Sequence, residues 1–127
     1  MDKRSHKERH DAGLKTRTEV LGKAWVEKSM AGVDDFNREF TELLHTYAWN
    51  DIWNRPGLPR KTRSILNLGM LCALGKEHEL KLHIRGSLNN GLTKDEIKEV
   101  FLQVAIYCGV PAAVVAFRCA REVFKEG

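Results

Sequence analysis

Residues 93–111 read TKDEIKEVFLQVAIYCGVP, and this stretch decides the fold. Thr93 and Glu96 form a capping box, in which hydroxyl and carboxylate each satisfy a backbone N–H that a helix start leaves open. Behind it Ile97, Val100, Phe101, Val104, Ala105 and Cys108 recur at helical spacing and lay one apolar stripe along the segment. Gly109 ends this helix, and Pro111 suits the opening turn of another that runs to about Phe124.

The same punctuation continues upstream. Asn90-Gly91 closes a helix over 76–90, and Gly75 closes the preceding one, Arg60 to Leu74, in the left-handed conformation. Pro59 fits the first turn of that helix, whose Ile65, Leu66, Leu68, Met70, Leu71, Cys72 and Leu74 fall on nearly every side and place it at the centre. Trp49 to Pro59, with Trp53, Pro56 and Gly57, breaks helical continuity and reads as an ordered, packed aromatic connection. Asp34-Asp35 caps a helix whose Phe36, Phe40, Leu43, Leu44 and Tyr47 share one face. No segment alternates convincingly as a strand, so the expected fold is all-α, a compact arrangement of about six or seven helices.

At 127 residues the chain suits one domain, 1–127, with a polar N-terminal arm over 1–12. The N-terminus lacks the apolar core of a secretory signal, which makes the cytoplasm the expected compartment. The uncharged run Phe101 to Phe117 is interrupted by Gly109-Val110-Pro111 and reads as two buried helix ends rather than a membrane span. Cys72, Cys108 and Cys119 show neither a C-x-x-C pair nor a zinc-ligand spacing and are expected in the core. Net charge is +4, and Lys3, Arg4, Lys7, Arg9, Lys15 and Arg17 concentrate near the start. Asp2, Glu8, Asp11 and Glu19 interleave with them and no aromatic ring sits among the cations, so a solvated helix is expected there and nucleic acid is not.

Glu79, His83, Ser87 and Asn90 stand at i, i+4, i+8 and i+11 and form a polar stripe beside Leu80, Ile84 and Leu88. Such a stripe can line a cavity. Glu79 is placed to accept a hydrogen bond from His83 and to stabilise the imidazolium, raising its proton affinity by about a unit and making it a general acid. The same spacing also describes an ordinary surface pair of about 0.2–0.5 kcal/mol. Arg55, Arg60 and Arg63 flank the Trp/Pro segment, where a guanidinium could clamp a carboxylate in bidentate fashion or pair with a protein carboxylate. Trp49, Trp53 and Tyr107 serve either packing or substrate contact.

In order, Trp53-x-Arg55-Pro56-Gly57-Leu58, Thr62-Arg63-Ser64, Glu79-Leu80-x-x-His83-x-x-Gly86, Asn89-Asn90-Gly91 and Tyr107-x-Gly109-Val110-Pro111-x-Ala113 resemble the carboxymuconolactone decarboxylase family of the alkylhydroperoxidase-like superfamily. The likeness extends from Gly13-Leu14 to the last helix. It implies loss of carbon dioxide from 4-carboxymuconolactone, a small anionic lactone, giving the enol-lactone of 3-oxoadipate in the protocatechuate branch of the β-ketoadipate pathway. It also implies no cofactor and no metal, and homotrimers or homohexamers. Peroxide-reducing relatives carry C-x-x-C-x-x-x-H on the matching helix; Lys76 and Glu79 replace both cysteines here, leaving His83.

On this reading His83, oriented by Glu79, protonates the dienolate, and Arg63 binds a carboxylate or the developing oxyanion. Arg55, Trp53, Ser87 and Tyr107 contact substrate. Two alternatives are a superfamily relative acting on another lactone or ketone, and a non-catalytic helical module binding an acidic partner through its basic arm.

Overall fold

The computed structural model describes residues 3–126, which fall into two compact units dividing between Leu58 and Pro59. Among the described residues every regular element is helical.

The first unit contains α1 (His6–Leu21), α2 (Lys23–Ala31), α3 (Arg38–Leu43) and a π-helix (Leu44–Ile52). Ser5 and Glu8 build a reciprocal capping box, so the expected N-terminal arm is helical from His6 onward. Gly22, at φ 98°, turns the chain from α1 into α2. Asp34 caps the next turn by accepting from the Phe36 and Asn37 backbone N–H groups, but α3 begins only at Arg38. Helical winding then continues as the π-helix through Ile52, beyond the break expected at Trp49.

The principal contact of this unit is α1 on the π-helix. Gly13 permits it, because a Cβ there would lie 1.8 Å from the His45 carbonyl oxygen. Polar groups then join the pair. Arg17 is buried and donates from Nη1 to His45 Nε2 at 3.1 Å and from Nη2 to Ser29 Oγ at 3.0 Å. A guanidinium cannot accept, so His45 carries its hydrogen on Nδ1 and donates to His10 Nε2 at 3.1 Å. His10 Nδ1 in turn faces Asp11 Oδ1 at 3.2 Å. Burial, then the Arg17 charge, holds the His45 pKa down to about 4. The expectation of a solvated basic helix holds for Lys7 and Lys15, which are exposed, and is corrected at Arg17, which is interior, and at Arg9, half-buried against Asp51.

The second unit packs α4 (Arg60–Leu74), α5 (Glu77–Asn89), α6 (Lys94–Tyr107) and α7 (Val110–Lys125). Gly75 adopts φ 69°, ψ 30°, and the N–H groups of Gly75 and Lys76 close α4 on the carbonyls of Cys72 and Leu71. Both halves of the Thr93–Glu96 capping box are present, and Gly109, at φ 100°, joins α6 to α7. The core is apolar: Leu68, Leu80, Ile84, Leu92, Ile97, Phe101, Val104, Ala116, Cys119 and Val123. Phe101 is wholly enclosed and meets Phe117 edge-on at 5.7 Å between centroids.

Several apolar side chains expected inside lie on the outside of the described chain. Phe36, 95% exposed, with Phe40, Leu43 and Tyr47, leaves an apolar face uncovered from the turn before α3 into the π-helix. Ile65, Leu66, Met70 and Leu74 do the same on α4, which is therefore not surrounded, and Ile106, Val110 and Val114 on α6 and α7. Cys72 and Cys119 are buried as expected, whereas Cys108 is exposed. No helix among the described residues is long and apolar enough to cross a membrane.

Candidate functional site

Polar side chains line the seam where α4 meets α5. From α4 come Ser64 and Asn67, with Arg63 one turn before Asn67 on the same helix; His83 comes from α5 and Asn90 from its C-cap. Asn90 Nδ2 donates to the buried Ser64 hydroxyl at 2.9 Å, and Asn67 Nδ2 lies 3.4 Å from His83 Nδ1. With the amide nitrogen donating, the imidazole keeps its hydrogen on Nε2.

The electrostatics of His83 correct the sequence reading. Burial pulls its pKa down to about 4, and the Glu79 charge, acting the other way, does not offset this. Glu79 itself is exposed, where solvent screens it. In the unliganded protein His83 is thus a neutral imidazole near pH 7, not a standing imidazolium. Ser87 is wholly enclosed and donates to the Ile84 carbonyl at 2.7 Å, which keeps it in the helix packing and out of reach of a bound molecule. Tyr107 is 82% exposed and borders an open, largely apolar cavity of about 350 Å³ with Ile65, Leu66, Met70, Val104 and Cys108. Burial raises the Cys72 thiol to about 11 and also raises that of Cys119, leaving both poor thiolates.

The other expected residues belong to the first unit. Trp53 is buried and stacked on Trp49, with ring centroids 5.0 Å apart and planes 22° from parallel, so it packs the end of the π-helix. Arg55 is exposed and borders a cavity of about 600 Å³ with Arg4, Arg9, Asn50, Asp51, Asn54 and Pro56.

Sequence reasoning missed Asn67 beside His83 and the buried Asn50, and read Arg4 and Arg9 only as part of the basic N-terminal cluster. Asn67 had a signal: it sits four residues after Arg63 on an otherwise apolar helix, hence on the same face. Asn50 and Asn54 share that spacing, hidden by assigning the segment to a loop.

Residues 38–122 match the model of the carboxymuconolactone decarboxylase family. A 4-carboxymuconolactone decarboxylase of Acinetobacter baylyi is 47% identical over 94% of this chain and 89% of its own length. The chain belongs to the carboxymuconolactone decarboxylase family. A nitrosuccinic acid decarboxylase of Metarhizium robertsii is similar too, 43% identical over 95% of this chain and 85% of its own length. The matched stretch contains the whole α4/α5 seam of this carboxymuconolactone decarboxylase family member, but begins after Arg4 and Arg9.

Proposed function

We propose that the protein converts 4-carboxymuconolactone to the enol-lactone of 3-oxoadipate with release of carbon dioxide, in protocatechuate catabolism. The observation that carries this reading is the 47% identity to a named decarboxylase along nearly the whole chain. The departing carboxylate sits on the ring carbon allylic to a double bond conjugated with the lactone carbonyl, so its electron pair flows into a dienolate. Protonation next to the carbonyl completes the reaction. A donor aimed at the oxygen where charge develops contributes about 3–4 kcal/mol to such a step. Arg63 is assigned this role or that of holding a carboxylate.

His83 supplies the proton. Its low proton affinity describes the unliganded state; a dianion bound beside it reverses the balance, because an adjacent negative charge favours the imidazolium. Proton uptake then accompanies binding, and the imidazolium discharges onto the dienolate carbon. Asn67 orients the ring, and Glu79 adds a minor charge effect. His83→Gln is expected to abolish turnover of 4-carboxymuconolactone, followed by ultraviolet absorbance, while circular dichroism stays unchanged. Normal activity in that variant removes His83 from the mechanism.

The relative acting on nitrosuccinic acid favours a second reading. Nitrosuccinate also loses carbon dioxide from a carbon bearing an electron sink, here leaving a nitronate. Parallel assays with both acids separate the two. The exposed apolar faces, Phe36, Phe40 and Tyr47 in one unit and Ile106, Val110 and Val114 in the other, support assembly as a homotrimer or homohexamer, which light scattering after size-exclusion chromatography tests.

A further inference from the structure

We propose that Asn67 is a positioning residue with two faces: its carboxamide donates to the resting His83 imidazole and turns over to accept from the imidazolium. One side chain thereby serves both ends of the proton transfer. This deepens the decarboxylase reading and rests on His83 as its proton donor.

Asn67 on α4 and His83 on α5 meet across one seam of the second unit, with Asn67 Nδ2 3.4 Å from His83 Nδ1. An amide nitrogen only donates, so Nδ1 is bare in the resting ring. An imidazolium has hydrogen on both nitrogens, and its Nδ1–H would face an N–H. A half-turn of the amide removes the conflict by bringing Oδ1 to the ring, and the terminal torsion of Asn is broad and roughly two-fold, so both orientations are accessible. Among the described residues the Asn67 carboxamide makes no hydrogen bond besides the one to His83, which leaves it able to turn. Asn54 is different: it accepts from Thr16 at Oδ1 and donates from Nδ2 to Asn50, so both its ends are held. Asn67 is half-buried, and water satisfies whichever end faces away from the ring. Glu79 does not share the task, because it is exposed and acts on the ring through its charge alone.

The protons balance. When the dianion binds, water supplies a proton to Nδ1 and the amide turns its oxygen toward it. The C–CO₂ bond breaks, its electron pair enters the dienolate, and the Nε2 hydrogen passes to the dienolate carbon. The ring is left neutral with its hydrogen on Nδ1, and exchange with water restores the resting tautomer as the amide turns back. One proton is consumed for each carbon dioxide released. The hydrogen taken up and the hydrogen delivered occupy different nitrogens, and only a side chain that both donates and accepts supports the ring throughout. Aspartate can only accept, and leucine can do neither.

The test combines NMR of protein with nitrogen-labelled histidine, near neutral pH and without ligand, with turnover of 4-carboxymuconolactone. The wild-type His83 signals are expected to show hydrogen on Nε2 and a bare Nδ1. Asn67→Asp should move the hydrogen to Nδ1 and lower kcat about 10-fold, because a carboxylate holds the imidazolium more tightly and makes it a weaker acid. Asn67→Leu should leave a mixture of tautomers and lower kcat by about 10- to 100-fold, the range for losing a hydrogen bond to a charged group, with KM held within about 3-fold. Hydrogen on Nδ1 in the unliganded wild type overturns the proposal, and this measurement decides even if a variant folds poorly. A tautomer unchanged in both variants also overturns it, as does wild-type kcat in Asn67→Leu; wild-type kcat in Asn67→Asp shows the donating face to be dispensable and overturns the two-faced role. Absent turnover in the wild type instead sinks the decarboxylase reading, while the tautomers still report whether Asn67 governs the ring.

Discussion

The first unit docks α1 on the π-helix through Arg17, His45, Thr16 and Asn50, all buried and polar, whereas the second packs four helices around Leu68, Leu80, Ile84 and Phe101. Ion pairs in the second unit, such as Arg85–Glu126 and Lys81–Glu122, stay near the surface. Apolar packing is tolerant of small shifts and has no direction; a buried hydrogen-bonded network tolerates neither a lost partner nor a changed distance. The first unit should therefore fail sharply and the second gradually.

The largest effect is expected at Gly13. Gly13→Ala places a methyl group on the His45 carbonyl, and because both sides of the clash are backbone, the cost should exceed about 4 kcal/mol, with loss of α1 amide protection in hydrogen exchange. Phe101→Ala tests the apolar half. It should lower stability by about 3–5 kcal/mol in denaturant titration, the range for a cavity left by a buried ring.

Acid sharpens the contrast. His45 and His83 both have folded pKa values of about 4 against an ordinary 6.5, chiefly through burial. Below pH 6.5 the unfolded chain takes up protons that the folded one refuses, so their influence is absent above 6.5. Stability then falls as the pH drops toward 4, by up to about 1.4 kcal/mol per pH unit for each histidine. His45→Gln and His83→Gln should each flatten part of that slope in denaturant titrations across pH 4–7; an unchanged slope in both would refute the assignment. Arg85→Ala gives the smallest effect. It removes a surface pair with Glu126 and should cost less than about 1 kcal/mol.

This contrast also explains what the sequence made legible. The second unit is written in signals that act locally: the Thr93–Glu96 box, the left-handed Gly75, and the 97-to-108 periodicity all predict elements that form where expected. The first unit depends on distant partners. Gly13 and His45 are separated by thirty-two positions, and nothing in either neighbourhood announces their contact. Of the π-helix, Leu44 and Tyr47 fall on the helical face read from the sequence, whereas the remainder is hidden by Trp53, Pro56 and Gly57, which make residues 49–59 read as a break.

The candidate site divides along the same line. Helical spacing identified Glu79, His83 and Asn90 as one stripe, but spacing carries no information about desolvation, and desolvation decides the charge on His83. Exposure separated Ser87 from Tyr107 in opposite senses, one sealed inside and one turned outward, although both are modest polar residues in apolar surroundings.

The Arg17–His45–His10–Asp11 sequence of contacts has one more consequence. Its inner end can only give a hydrogen, so the orientation of every subsequent link is dictated from the interior outward. Turning one ring over would set two lone pairs, or two hydrogens, against each other at the next. The two imidazoles are thereby tied into a single all-or-none element, whose ring hydrogens should exchange with water together rather than one at a time.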